Sequence, residues 1–105
     1  MVFSVQQIKY EFLAYMKGLG GSFEDWYVGS TDDPEAALFT AHSIRRDADP
    51  WIYKPALSGR AANTVLRYFV EVLHTDGNVP TEHEQGASFA YAFKKSACTR
   101  PSIDG

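Results

Sequence analysis

The chain has 105 residues, of which 45% are hydrophobic and 14% are aromatic, which excludes a disordered chain and predicts one globular domain. Its formal net charge of −3 argues against non-specific binding to nucleic acid, because such binding needs a basic surface. No apolar run reaches the length of a membrane span, no secretory leader is recognised, and the single cysteine, Cys98, excludes an internal disulfide, so we expect a cytoplasmic protein.

The first predicted element is an amphipathic helix from Ser4 to about Lys17. Ser4 and Gln7 match a capping box, and the glycines that follow Lys17 end the helix. We expect the apolar face of this helix to dock on a sheet, with docking on a partner protein as the alternative. The residues of that face are Val5, Ile8, Phe12, Tyr15, Met16 and Leu19.

A strand, a tight turn and a short helix follow. Residues 26–28 are strand formers, and Gly29 with the polar residues after it is predicted to end the strand. Asp33 is predicted to cap a helix over residues 34–43, because proline at position 34 suits the first helical turn. Residues 51–54 then read as a second strand, which a proline ends.

The longest predicted helix begins after Ser58 and runs to His74. The Asp-Gly-Asn sequence at residues 76–78 is predicted to end it in a loop. Its apolar face is broad and contains Ala62, Val65, Leu66, Phe69, Val70 and Leu73.

Residues 87–94 alternate large aromatic side chains with small ones, which predicts a third strand with Phe89, Tyr91 and Phe93 on one face. Residues 96–105 are predicted to form a flexible C-terminal tail. The order α-β-α-β-α-β predicts a small α/β (α+β) domain over residues 1–95, with a three-stranded, partly antiparallel sheet and about three helices.

The segment from Tyr27 to His42 resembles the second half of the signature of the GIY-YIG nuclease family. Tyr27-Val28-Gly29 is followed by polar residues and by a helix with Leu38 and His42, as in that signature. Residues 51–54 and 62–69 fall where the family has its third strand and the helix of its catalytic glutamate. The resemblance covers about residues 25–73 and implies a small standalone domain of this fold.

For active members, the resemblance implies metal-dependent hydrolysis of phosphodiesters, with a tyrosine, an arginine and a glutamate in the site. The matching positions of this chain are Tyr27, Ala37 and Leu66. A methyl group cannot stabilise an anion and leucine cannot hold magnesium, so catalysis is not expected. The family's first strand is also missing before Tyr27; as a hypothesis, the C-terminal strand takes its place and brings Tyr91 close to Tyr27.

The first interpretation is therefore a catalytically inactive domain that binds another protein as an inhibitor or regulatory module, without a cofactor or metal. Exposed aromatic and arginine side chains dominate the energetics of interfaces, which makes five residues candidates for partner binding: Trp26, Arg45, Arg46, Trp51 and Tyr53. One alternative is a divergent DNA endonuclease that uses Mg²⁺ or Mn²⁺ with Tyr27, His42 and Tyr91. Another is a nucleic-acid-binding remnant that contacts phosphates through Arg45, Arg46, Lys54 and Lys95.

The remaining polar residues are given structural roles. Asp32 and Asp33 are interpreted as turn and cap residues rather than a metal pair. His42 is interpreted as a satisfied surface or boundary histidine, because a general base would need a partner that the sequence does not identify. The tail cysteine lacks a nearby histidine, and four further potential ligands lack a recognised metal spacing: His74, Glu82, His83 and Glu84.

Overall fold

The computed structural model describes residues 2–20, 22–45, 47, 49–77 and 88–95. These residues contain helix α1 at Val5–Leu19, strand β1 at Trp26–Thr31, strand β2 at Trp51–Pro55 and helix α2 at Gly59–Arg67. Strand β3 at Asp76–Gly77 and strand β4 at Phe89–Lys94 follow. A short 3₁₀ turn lies at Phe23–Asp25, and two π-helices lie at Ala36–Ala41 and Tyr68–Val72. The predicted tail lies outside the described residues.

Four strands of the described residues form one mixed sheet in the order β2-β4-β1-β3. β4 pairs antiparallel with β1, where Tyr27 faces Phe93 and Gly29 faces Tyr91, and antiparallel with β2 on its other side. β1 pairs in parallel with β3. The predicted α+β class with a partly antiparallel sheet is confirmed, and the C-terminal strand does pair with the strand of Tyr27.

The prediction of only three strands is wrong, because β3 occupies the position predicted to be a loop. Its two residues, Asp76 and Gly77, pair with Tyr27 and Val28. A Cβ atom on Gly77 would lie 2.5 Å from the main-chain oxygen of Val28 and 2.6 Å from Cγ2 of Val70, so glycine is required at this approach. A strand of two residues has no alternating pattern, and the sequence therefore gives no signal for it.

Helices α1 and α2 cover one face of the sheet, as their apolar patterns predict. The predicted capping box of α1 is present: the main-chain N–H of Gln7 donates to Oγ of Ser4, and that of Ser4 donates to Oε1 of Gln7. Leu19 is a correction, since it ends α1 and is 45% exposed. The buried core on this face includes Ile8, Phe12, Met16, Trp26, Val28, Ala62, Val65, Leu66, Phe69, Ala90 and Ala92.

Residues 34–44 cover the opposite face of the sheet and are called the covering segment below. Its Leu38 and Ile44 are buried against Tyr27, Tyr91 and Phe93. The predicted cap is confirmed, because the main-chain N–H of Ala36 donates to Oδ1 of Asp33 at 3.1 Å. The predicted helix is mostly a π-helix, which ends two residues earlier than expected.

Both π-helices end with the same backbone geometry. Ser43 and His74 adopt φ values of 58° and 66°, in the left-handed region that favours glycine. The next residues, Ile44 and Thr75, are buried. The helix predicted to reach His74 therefore stops at Val72. Main-chain hydrogen bonds close both ends. The N–H groups of His42, Ile44, Leu73 and Thr75 donate to the carbonyl oxygens of Ala37, Leu38, Tyr68 and Phe69, respectively.

Candidate functional site

Three polar side chains meet between the sheet and the covering segment: Tyr27, His42 and Tyr91, called the buried polar cluster below. The two tyrosines project from the neighbouring strands β1 and β4, with ring centroids 6.3 Å apart. His42 follows the first π-helix, and its ring lies 4.7 Å from that of Tyr27. The exposed fractions are 7% for Tyr27, 0% for His42 and 3% for Tyr91, so the covering segment closes the cluster from solvent.

The polar atoms of this cluster bond to one another. Nε2 of His42 and the hydroxyl oxygen of Tyr91 lie 2.8 Å apart, a hydrogen bond whose direction depends on the histidine tautomer. Burial raises the pKa of the Tyr91 hydroxyl well above its usual range, and the adjacent, hydrogen-bonded Tyr27 raises it further. Tyr91 is consequently neutral at physiological pH. The interpretation of His42 as a surface or boundary residue is wrong, since Tyr91 allows it to be fully buried.

Gly29 makes the arrangement possible. It was predicted to end the strand, but β1 continues to Thr31, and Gly29 lies directly opposite Tyr91. A Cβ atom at this position would lie 2.6 Å from both Cζ and the hydroxyl oxygen of Tyr91. The tyrosine ring thus lies across the glycine, and this position brings its hydroxyl to His42.

Ala37 and Leu66 lie on opposite faces of the sheet. Ala37 packs against the hydrophobic cluster beneath the covering segment, whereas Leu66 is fully buried in the core formed with α1. The prediction that Leu66 lies on the buried face of its helix is confirmed. Tyr27 and Val28 point to opposite faces, as successive strand residues do, and Leu66 is on the side of Val28. The structure does not bring Ala37 and Leu66 together.

Trp26 is a correction among the predicted partner-binding residues. It is 1% exposed and packs edge to face on Tyr15 of α1, with ring centroids 5.8 Å apart. Both faces of β1 are covered, so its two adjacent aromatic residues, Trp26 and Tyr27, are both buried. Trp26 is therefore part of the core and not of a surface patch. Arg46 lies outside the described residues.

Trp51 and Tyr53 lie on the edge strand β2 and are half-buried, since both pack against the buried hydrophobic cluster beneath the covering segment. Their rings stack with centroids 5.9 Å apart and an interplanar angle of 17°. Phe39 of the covering segment meets Trp51 edge to face at 5.1 Å, and Phe89 of β4 meets Tyr53 in the same way at 6.0 Å. These four residues form what we call the aromatic stack.

A shallow cleft of about 660 Å³ opens beside the aromatic stack, between the covering segment and β2. Its walls include three members of the stack, and the acidic residues Asp33 and Glu35 lie along it: the lining side chains include Asp33, Glu35, Phe39, Thr40, Tyr53 and Phe89. Phe39 and Phe89 are not among the predicted partner-binding residues, although both are half-buried members of the aromatic stack. Only the pairing of β4 with β2 brings Phe89 next to Tyr53.

Arg45 directly follows the covering segment and has 58% of its side chain exposed. Its guanidinium donates to both carboxylate oxygens of Asp49, at 3.1 and 3.3 Å, and its main-chain N–H donates to Oδ2 at 2.8 Å. These bonds hold the pKa of the nearly buried Asp49 carboxyl below its usual range. The pair ties Arg45 to Asp49, two residues before β2.

The other candidates are dispersed. Oδ1 of Asp32 accepts hydrogen bonds from the main-chain N–H and the hydroxyl of Ser88, so this residue ties the turn to β4. Lys54 pairs with Glu11 at 3.9 Å, on the face covered by α1. Lys95 pairs with Asp76 of β3, at the opposite edge of the sheet from β2. The predicted phosphate contacts are thus not gathered on one surface.

Within the described ranges, no group of three or more histidine, cysteine, aspartate or glutamate residues is placed to hold a metal ion. His74 is exposed in its left-handed turn. Three potential ligands and the cysteine lie outside the described residues: Glu82, His83, Glu84 and Cys98.

Comparison of the chain with protein-family models, with curated proteins and with solved structures found no match. The resemblance to the GIY-YIG family therefore stays a hypothesis that depends on the residues named above. None of the helices in the part of the chain that the structure describes is long and apolar enough to cross a membrane.

Proposed function

We propose that this chain is a catalytically inactive, GIY-YIG-like cytoplasmic domain that binds another protein through the aromatic stack. The carrying observation is that four half-buried aromatic rings pack against one another at the edge of the sheet: two belong to the edge strand β2, one to the covering segment and one to β4. Aromatic side chains in this setting offer a large contact area at a low entropic cost, and they are enriched among the residues that dominate binding energy. Arg45, which directly follows the covering segment and pairs with Asp49, adds a largely exposed guanidinium group.

The buried polar cluster supports a structural rather than catalytic use of Tyr27. Its neighbours His42 and Tyr91 are almost fully buried, and the polar atoms of the cluster bond to one another. The covering segment would have to move before a substrate reached the Tyr27 hydroxyl. The positions that the resemblance assigns to arginine and glutamate, Ala37 and Leu66, offer no charged group.

The test compares proteins captured by three forms of the tagged chain after cross-linking in a lysate of the native host. We expect specific partners to be retained by the wild type and by Tyr10→Ala, and lost by the double variant Trp51→Ala/Tyr53→Ala. Tyr10 is the matched control because it is 71% exposed but lies on α1, across the sheet from the stack. Quantitative mass spectrometry reads the result, and thermal melts confirm that each variant is folded.

A second variant tests whether the effect of Trp51→Ala/Tyr53→Ala arises only from the packing lost with the two rings. Thr40 is exposed and lies along the cleft, so Thr40→Arg adds bulk beside the stack without removing any ring. We expect it to reduce capture of the same partners. Capture that is unchanged in both the double variant and Thr40→Arg would contradict binding through this surface.

One observation favours a second candidate, a divergent endonuclease: Tyr27, His42 and Tyr91 do lie together. A plasmid-cleavage assay with Mg²⁺ or Mn²⁺ separates the two functions. Cleavage by the purified wild type that is abolished in Tyr27→Phe would replace the binding proposal.

A further inference from the structure

We propose that Asp76 and Gly77 form a site of spontaneous covalent modification, at which the folded chain converts Asp76 to isoaspartate. The two residues make up β3, at the edge of the sheet opposite β2. The side chain of Asp76 is 47% exposed, so water reaches its carboxyl group. The site lies apart from the aromatic stack and does not depend on partner binding.

The main chain of Gly77 lies against the carboxyl group that it attacks. Its N–H donates to Oδ1 of Asp76 at 2.9 Å. Because Cγ of Asp76 is bonded to Oδ1, the nitrogen and the carbon atom are held close together, and groups held in this way react without a further loss of freedom. Glycine carries no Cβ atom that would hinder the approach.

Lys95 contacts the other oxygen of the same carboxyl group. Its Nζ lies 3.4 Å from Oδ2 of Asp76. The main-chain N–H of Lys95 donates to the carbonyl oxygen of Asp25 at 2.7 Å, which holds the residue at this place. The two carboxyl oxygens therefore have different partners: Oδ1 faces the nucleophile, and Oδ2 faces an ammonium group that can donate a proton to a leaving oxygen.

The reaction is an isomerisation through a cyclic imide. The nitrogen of Gly77 forms a bond to Cγ of Asp76, and Oδ2 leaves as water with one proton from that nitrogen and one from Lys95, which solvent replaces. Water then adds to one of the two imide carbonyl groups and breaks its bond to nitrogen. Breakage at Cγ restores aspartate, whereas breakage at the main-chain carbonyl gives isoaspartate, in which the main chain passes through Cβ and Cγ.

The packing of Gly77 gives the modification a structural effect. A Cβ atom on this glycine would lie 2.5 Å from the main-chain oxygen of Val28 and 2.6 Å from Cγ2 of Val70, so the site has no spare room. Isoaspartate adds one carbon atom to the main chain beside this close approach. We therefore expect the modification to move Gly77 away from Val28 and to loosen the pairing of β3 with β1.

The test incubates the folded chain for several weeks at neutral pH in water enriched in ¹⁸O. Hydrolysis of the imide leaves one heavy oxygen in either product, so peptide mass spectrometry counts every passage through the imide at residue 76. A blocked peptide with the sequence of residues 75–79 is incubated in the same solution as the reference. We expect incorporation at Asp76 of the folded chain to be at least about threefold faster than in the peptide, because the fold holds the reacting groups together.

Three variants locate the reaction. Asp76→Glu keeps a carboxylate beside Lys95 but needs a larger ring, so incorporation at residue 76 is expected to be lost. Lys95→Met removes the ammonium group, and we expect incorporation at Asp76 to fall about threefold. Lys94→Met is the matched control, because Lys94 carries the same charge as the last residue of β4, and it is expected to leave the rate unchanged.

A second measurement follows the effect on the fold. After incubation in ordinary water, we expect urea denaturation of the wild type to show a fraction of molecules that unfolds at a lower urea concentration, and we expect none in Asp76→Glu. Incorporation at Asp76 that is no faster than in the peptide would overturn the proposal, because the fold would then protect the site. An unchanged rate in Lys95→Met would contradict the part assigned to Lys95, and unchanged unfolding of chains that contain isoaspartate would contradict the effect on β3.

Discussion

Gly29 leaves room for the Tyr91 ring where β1 and β4 meet at the buried polar cluster. The hydroxyl end of Tyr91 lies where a side chain at position 29 would begin, and from there it reaches His42. The glycine of the Tyr-Val-Gly segment therefore has a packing reason in this chain, independent of any resemblance. A change at this position acts on the cluster and on the strand pairing together.

We expect Gly29→Ala to lower the free energy of unfolding by about 1 to 3 kcal/mol, because the added methyl group overlaps the Tyr91 ring. The control is Gly18→Ala in α1, where nothing lies within 4 Å of the added Cβ atom. Alanine in a helix is more stable than glycine by about 0.5 to 1 kcal/mol, so this variant is expected to raise the free energy of unfolding. Urea denaturation of the wild type and the two variants measures both changes. Wild-type stability in Gly29→Ala would contradict the close approach of Tyr91.

Ionisation of Tyr91 makes the free energy of unfolding depend on pH in the alkaline range. The pKa of Tyr91 is raised in the folded chain. The stabilisation that comes from keeping its hydroxyl neutral is therefore complete below the usual tyrosine pKa of about 10, and it is lost as the pH rises above that value. While only the unfolded chain is ionised at this residue, stability falls by about 1.4 kcal/mol per pH unit.

Tyr91→Phe is expected to remove that part of the slope, although it lowers stability at neutral pH by loss of the hydrogen bond to His42. Urea denaturation at a series of pH values from about 9 to 11.5 measures the slopes. Tyr10→Phe serves as the control, since this ring is 71% exposed. Parallel slopes for wild type and Tyr91→Phe would show that the hydroxyl is not buried.

At the scale of elements, the two π-helices share one way of ending. Each places a residue other than glycine in the left-handed region, and each then buries the following residue. The left-handed conformation costs about 1 to 2 kcal/mol for such residues. Burial of Ile44 behind Ser43 offsets this cost, and it holds the covering segment closed over Tyr27.

Replacement by glycine is expected to recover part of that cost. We expect Ser43→Gly and His74→Gly each to raise the free energy of unfolding by about 0.5 to 1 kcal/mol, after allowing for the greater freedom of glycine in the unfolded chain. Thermal and urea denaturation measure the gain. Ser43→Ala is the matched control and should show none, because alanine retains the steric cost. A gain in Ser43→Ala equal to that in Ser43→Gly would contradict strain at this position.

At the scale of the whole molecule, local sequence patterns predicted the helices and strands more accurately than they predicted which residues surround each side chain. The capping box of α1 and the alternation of β4 depend on residues close in sequence, and both were predicted correctly. His42 was misjudged because its partner, Tyr91, lies 49 residues away. Trp26 was misjudged because strand patterns do not reveal that both faces of β1 are covered.

The candidate site was predicted in part for the same reason. Trp51 and Tyr53 are visible as aromatic residues of a predicted strand, and in the structure both are half-buried on the edge strand. Phe39 and Phe89 join them only through the fold, one from the covering segment and one from β4. The cleft is therefore a property of strand order, which a single sequence does not encode in any short pattern.

The position of β4 in that order has a consequence for synthesis. β1 and β2 are made early, but neither pairs with the other, because β4 lies between them and supplies the partner for both. On a ribosome, the sheet remains open until residue 94 has left the exit tunnel. Until then, the backbone groups of β1 that face β4 have no paired strand, and unpaired strand edges of this kind are the sites at which incomplete chains aggregate.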